Sequence, residues 1–170
     1  MSKQDPQPFN LGNALRGCGV KRYHTMLTIR QQTVADHSAR VALLLHHVAP
    51  HCRAEVLLAA LMHDLSEFAT GDTPSPSKWR WPDLQDALRK AEQAVEHDNG
   101  FTVRLTNDER HLVSWCDMME LITWGDEEAQ LGNTHAVALV KRGLASLRQM
   151  GHPNFVARDL FNMYHQKYDY

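Results

Sequence analysis

Four residues spaced along this chain could share one metal ion. His37 stands first, the dipeptide His63-Asp64 follows, and Asp117 closes the set. Two neutral imidazoles and two carboxylates make a mixed nitrogen and oxygen ligand set. Such a set suits a divalent transition metal and leaves coordination positions open for water and substrate. His63-Asp64 follows the apolar run "LLAALM". Within a helix, neighbouring residues stand about 100° apart, so both can reach one groove between helices. His97-Asp98 is an internal control. It lies in polar sequence before Asn99-Gly100, without an apolar flank, and reads as solvent-exposed. Asp117 lies in the amphipathic stretch "LVSWCDMMELITW". Burying it unpaired would be costly, so it needs a cation, either a metal or an Arg or Lys.

Other residues could act beside such an ion. Glu67 follows His63 by four positions and shares its helical face, where a carboxylate can orient or deprotonate water. Asp72, in Thr70-Gly71-Asp72, is a second acid, and an Asx turn is its alternative role. Arg22 could hold a phosphate bidentately and Tyr23 could wall off a sugar. Lys78 is a further candidate phosphate contact. His46, His47 and His51 flank Pro50 with no acid to complete a site, and they are set aside. Trp79 and Trp81 either cover a pocket or make a subunit contact.

These residues need elements to position them. Residues 34–49 read as a helix with Val34, His37, Val41, Leu44, Leu45 and Val48 on one face, capped by Thr33 with Asp36 as a variant capping box. A second helix is expected over 53–68. Residues 69–82 read as loop, because Pro74-Ser75-Pro76 argues against helix. Pro82 opens a third helix running to His97. Thr106 to Glu109 forms a capping box for a fourth, ending near Trp124. A fifth spans about 133–150 and a sixth about 154–166. The expectation is an all-α bundle whose metal ligands meet in the core.

Composition narrows the function. The chain has 170 residues, 43% hydrophobic and 22% charged, enough for one domain over 1–170 with residues 1–10 as a tail. A net charge of -2 gives no global attraction to nucleic acid or an anionic membrane. Three widely spaced cysteines without a C-x-x-C pair point to a reducing cytoplasm. No secretory leader is expected, and no apolar run approaches the ~18 residues that span a bilayer.

The order His, His-Asp, Asp, with "TVADHS" opening the first ligand helix and "RYHTMLTIRQQ" upstream, resembles the HD-domain phosphohydrolases. The similarity covers about residues 20–125 and is nearest to bacterial 5'-deoxynucleotidases and phage dATP triphosphohydrolases. It implies an HD-domain helical bundle with His37, His63, Asp64 and Asp117 holding Zn, Co or Mn, and allows additional Mg on the phosphates. It implies catalytic roles for Glu67 and Asp72, and substrate binding by Arg22, Tyr23 and Lys78. In the 5'-deoxynucleotidases an Arg-Trp pair stands at this interval before the first metal His, and the aromatic excludes a ribose 2'-hydroxyl. Here the pair is Arg22-Tyr23, whose phenol could also hydrogen-bond that hydroxyl. The resemblance implies hydrolysis at the α-phosphorus of a deoxynucleotide, with dATP giving deoxyadenosine and triphosphate. A 5'-deoxynucleotidase acting on monophosphates is the alternative. A non-catalytic nucleotide-binding HD module is the alternative of another class, against which the intact Glu67 and Asp72 argue. The implied partners are the nucleotide and further copies of the chain, as a dimer or hexamer, in a bacterial or phage-infected cytoplasm.

Overall fold

The computed structural model describes residues 7–168, the Trp79 side chain excepted. Residues 1–6 of the expected tail, and any role for Trp79, lie outside the described residues. Among the described residues the elements are α1 Leu11–Cys18, α2 Val34–Val48, α3 Ala54–Met62, α4 Glu67–Thr70, α5 Ser75–Arg80, α6 Pro82–Asp98, α7 Asn107–Gln130, α8 Thr134–Met150 and α9 Phe155–Tyr168. The expected all-α class holds, and none of these helices is long and apolar enough to cross a membrane.

Helix α2 starts where its cap dictates. The Thr33 hydroxyl accepts from the Asp36 amide at 3.2 Å, and the Asp36 carboxylate accepts from the Thr33 amide at 3.1 Å. Two otherwise unpaired donors of the first turn are thereby satisfied. The apolar face of α2 (Val41, Leu45, Val48) packs on Trp115, Cys116, Met119 and Ile122 of α7, and α8 adds Val140, Leu144 and Leu147. Helix α7 runs past the expected end at Trp124 because Gly125 lies against α8. A Cβ there would sit 2.9 Å from Val140 Cγ2, and one on Gly143 would sit 2.7 Å from Ile122 Cγ1. The propensity cost of a helical glycine, about 1 kcal/mol, is offset by this close approach.

The helix expected over 53–68 is interrupted. Helix α3 stops at Met62 and residues 63–66 form turns, closed by i to i+3 bonds such as Glu67 N to Asp64 O at 3.1 Å. His63 Nδ1 bonds the Ala60 carbonyl at 2.8 Å, the acceptor a continuing α-helix would use for the Asp64 amide. Helix α1 holds the turn in place, since a Cβ on Gly17 would fall 2.4 Å from Leu65 O. His63, Asp64 and Glu67 are therefore presented from a tight turn, not from the face of one helix.

A second correction concerns 69–82. Helix α5 forms across Pro76, which lies in its first turn. Amides there have no intrahelical acceptor, so a proline removes no bond. Helix α1 was not anticipated either, although Asn10 caps it by accepting from the Asn13 amide at 3.0 Å.

Candidate metal centre

The four proposed ligands converge. His37 comes from the first turns of α2, His63 and Asp64 from the turn after α3, and Asp117 from the middle of α7. His37 Nε2 lies 3.0 Å from Asp117 Oδ1 and 3.2 Å from His63 Nε2. Asp64 Oδ2 lies 3.4 Å from His63 Nε2 and 3.6 Å from His37 Nε2. His63 Nε2 and Asp117 Oδ1 are 3.8 Å apart. Donor atoms bound about 2.0–2.1 Å from one tetrahedral ion stand about 3.3 Å from each other. The separations among His37, His63 and Asp117, all within 4.8 Å of one another, bracket that spacing and fit a single ion, while Asp64 approaches both imidazoles from outside that group and accepts from Arg22.

Each imidazole is oriented by its other nitrogen. His37 is fully buried, and its Nδ1 lies 2.7 Å from Glu120 Oε2. His63 Nδ1 faces the Ala60 carbonyl. Both Nε2 lone pairs are thus available to an ion, the tautomer such ligands require. Glu120 was missed at the sequence level. It is fully buried and also accepts from Arg40 Nε at 2.6 Å and Gln32 Nε2 at 2.9 Å. Its signal was the Asp117-x-x-Glu120 spacing, which puts both acids on one face. Glu120→Gln should lower Zn affinity by about 10–100-fold, because a neutral amide supports His37 less well. Competition against a chromogenic chelator measures this, and unchanged affinity would contradict the role.

Electrostatics reflect four acids and two histidines in a small volume. Burial opposes a charged imidazole, yet Asp64 and Asp117 carry His63 up to about 9. Burial alone would raise the Asp117 carboxyl, but in the metal-free protein His37 and His63, when doubly protonated, donate to it and hold it well below the usual carboxylate range. Asp64 Oδ2 also accepts from Arg22 Nη1 at 2.5 Å, so the arginine sits directly beside the ligand set.

Glu67 is 5% exposed, and its Oε2 has no hydrogen-bond partner among the described residues. Burial, then the negative charges of Asp64 and Asp72, push its carboxyl up to about 8, against opposition from Arg22 and Lys78. A sign follows for stability. The folded protein holds this proton between the ordinary value of 4.5 and about 8, while the unfolded chain has lost it. Stability from this group is full below the lower value and declines as pH rises toward the upper. In metal-free protein, Glu67→Gln should flatten the decline in Tm between pH 5 and 8 by roughly a few degrees. Parallel thermal unfolding curves for both proteins would contradict it.

Three of the remaining candidates, Arg22, Tyr23 and Asp72, line a pocket beside this centre. Asp72 Oδ2 accepts from the Tyr23 amide at 3.1 Å. Tyr23 adopts φ 56°, a left-handed conformation unusual for a tyrosine, and stacks on Trp124 with centroids 4.1 Å apart. One ring face is thus occupied by a residue that the sequence did not single out. Lys78, half-buried on α5, acts electrostatically on Glu67. Arg22, Tyr23 and Asp72 line the pocket together with Met118, Leu121 and residues of α8. Trp81 is exposed. The control pair behaves as expected, with His97 and Asp98 exposed at the end of α6. His46, His47 and His51 are exposed too.

A family profile described as YfbR-like 5'-deoxynucleotidase matches residues 15–164. The 5'-deoxynucleotidase VV1113 of Vibrio vulnificus is 34% identical over 86 residues, covering 45% of this chain and 44% of the relative. The 5'-deoxynucleotidase PM0747 of Pasteurella multocida is 31% identical over 86 residues, with the same coverage. The chain thus spans just under half the length of the curated relatives it matches. Among solved structures, the cyanophage S-2L HD phosphohydrolase DatZ, bound to dA and one catalytic Zn2+ ion, is 20% identical with a TM-score of 0.69. That match covers 96% of this chain and 98% of the other, and shows a shared fold.

Proposed function

The chain belongs to the YfbR-like 5'-deoxynucleotidase family of HD-domain proteins, and from that footing we propose that it is a metal-dependent hydrolase of deoxynucleoside 5'-phosphates, acting at the α-phosphorus. One observation carries the reading: His37, His63 and Asp117 converge at single-ion spacing, with Asp64 beside both imidazoles, next to a buried Glu67 whose Oε2 has no partner among the described residues. A structural acid would be paired; an unpaired buried one is poised for a substrate or water.

A divalent transition metal held by these four residues, Zn, Co or Mn, would acidify water and polarise the phosphoryl oxygens. Arg22 donates one N–H to Asp64 and has its buried Nε without a partner, so its fork is available to the phosphoryl group. Water oxygen bonds to phosphorus as the P–O5' bond breaks. One proton leaves the water and one reaches the departing O5'; Glu67 and Asp72 handle that exchange with no net change. Tyr23, fixed by Trp124, offers a rigid wall for the sugar. Further copies of the chain complete the proposed assembly, which light scattering reads.

Monophosphates are the first substrates proposed, as the family's description supports. Triphosphates, dATP among them, are the second reading, because Lys78 adds a cation near Glu67 for a longer phosphate tail. A metal-supplemented panel of dNMPs, dNTPs and their ribo counterparts separates these. Deoxynucleoside should appear with phosphate from the first group or with triphosphate from the second. Nucleotide binding without any deoxynucleoside product would instead favour a non-catalytic module.

A further inference from the structure

The pocket beside the metal centre contains a cation that the hydrolytic step does not use. Arg142 lines it from α8, and α8 supplies no ligand to the metal cluster. Arg142 is exposed and, among the described residues, has no acid partner, unlike Arg22, Arg30 and Arg40, each of which is bonded to a carboxylate. Asp72, the acid of the same lining, spends its Oδ2 on the Tyr23 amide. The same pocket is lined by apolar side chains, Met118 and Leu121 from α7 and Pro74 and Pro76 from the loop and α5. Ser146 lies one turn beyond Arg142 and shares its face.

A flat ring held between these apolar side chains would present its polar edge to Arg142. An arginine only donates, through a rigid planar fork, so the edge it pairs with must accept. Guanine presents two adjacent acceptors, O6 and N7, which match the fork. Adenine presents N7 beside an amino group that would oppose it. The geometry points to Arg142 as the residue that selects the nucleobase, favouring guanine over adenine in the substrate. This rests on the deoxynucleotide-hydrolase reading above and runs against the adenine preference implied by resemblance. A phosphate role for Arg142 is disfavoured because Arg22 and Lys78 already stand beside Glu67 and the ligand set.

The test compares kcat/KM for dGMP and dAMP in the metal-loaded wild type and in Arg142→Gln. Dissociation constants for both nucleotides are measured in parallel in a Glu67→Gln background that suppresses turnover. The wild type should favour dGMP by about tenfold or more, and Arg142→Gln should bring the two within about threefold of each other, since one bidentate pair is lost. Metal content should stay unchanged. Equal preference in the wild type, a preference for dAMP, or an equal loss for both nucleotides in the variant would overturn the assignment while leaving the hydrolase intact. Failure to bind or hydrolyse either nucleotide would overturn the hydrolase reading and this inference with it.

Discussion

His63→Ala should abolish tight binding of the transition metal and reduce deoxynucleotide hydrolysis to background, whereas His97→Ala should leave both unchanged. His63 Nε2 stands within 3.8 Å of three other donor atoms, and its orientation is fixed by Ala60. Removing it leaves His37, Asp64 and Asp117 with a vacant corner and two carboxylates short of one counter-charge. His97 belongs to the chain's other His-Asp dipeptide and is exposed at the end of α6, where its ring pairs with Asp98. Elemental analysis after dialysis, with circular dichroism to confirm folding, reads the difference. Metal retained by His63→Ala at full stoichiometry would sink the ligand assignment.

Glu67→Ala and Asp72→Ala should retain the metal and bind nucleotide, but lose kcat by about 10²-fold or more, the size expected for acid–base groups. Neither residue belongs to the donor cluster of His37, His63 and Asp117. Glu67 is buried and its Oε2 has no hydrogen-bond partner among the described residues, which leaves that atom free for the proposed proton transfer. Asp72 also holds the Tyr23 amide, so its replacement should raise KM as well, through a less ordered sugar wall. That split separates the two acids: a kcat effect for Glu67, and combined kcat and KM effects for Asp72. Wild-type turnover by both variants would mean that neither acid handles a proton.

Much of this site was legible before any geometry. The cap of α2 was written in Thr33 and Asp36, and the apolar flanks distinguished His63-Asp64 from His97-Asp98. What escaped was local chemistry that depends on distant partners. Glu120 reads as a surface acid in "DMME" until Arg40 and Gln32 of another segment are seen to face it. The break after Met62 was hidden because "AALMHDLSEF" has helical periodicity, while the cause lies in a side-chain bond to Ala60 and the contact with Gly17. Helix α5 was obscured by prolines whose effect depends on position, since one in a first turn costs nothing that an interior proline would. Arg142, without an acid partner among the described residues, had no sequence signal at all; only the pocket makes it conspicuous.

The most direct measurement of the central claim is turnover in oxygen-18 water by the metal-loaded protein. Attack at the α-phosphorus predicts one label in the phosphate released from a dNMP, or in the triphosphate released from a dNTP, with none in the deoxynucleoside. Label in the 5'-hydroxyl of the deoxynucleoside, or in inorganic phosphate formed alongside a dNDP, would contradict it.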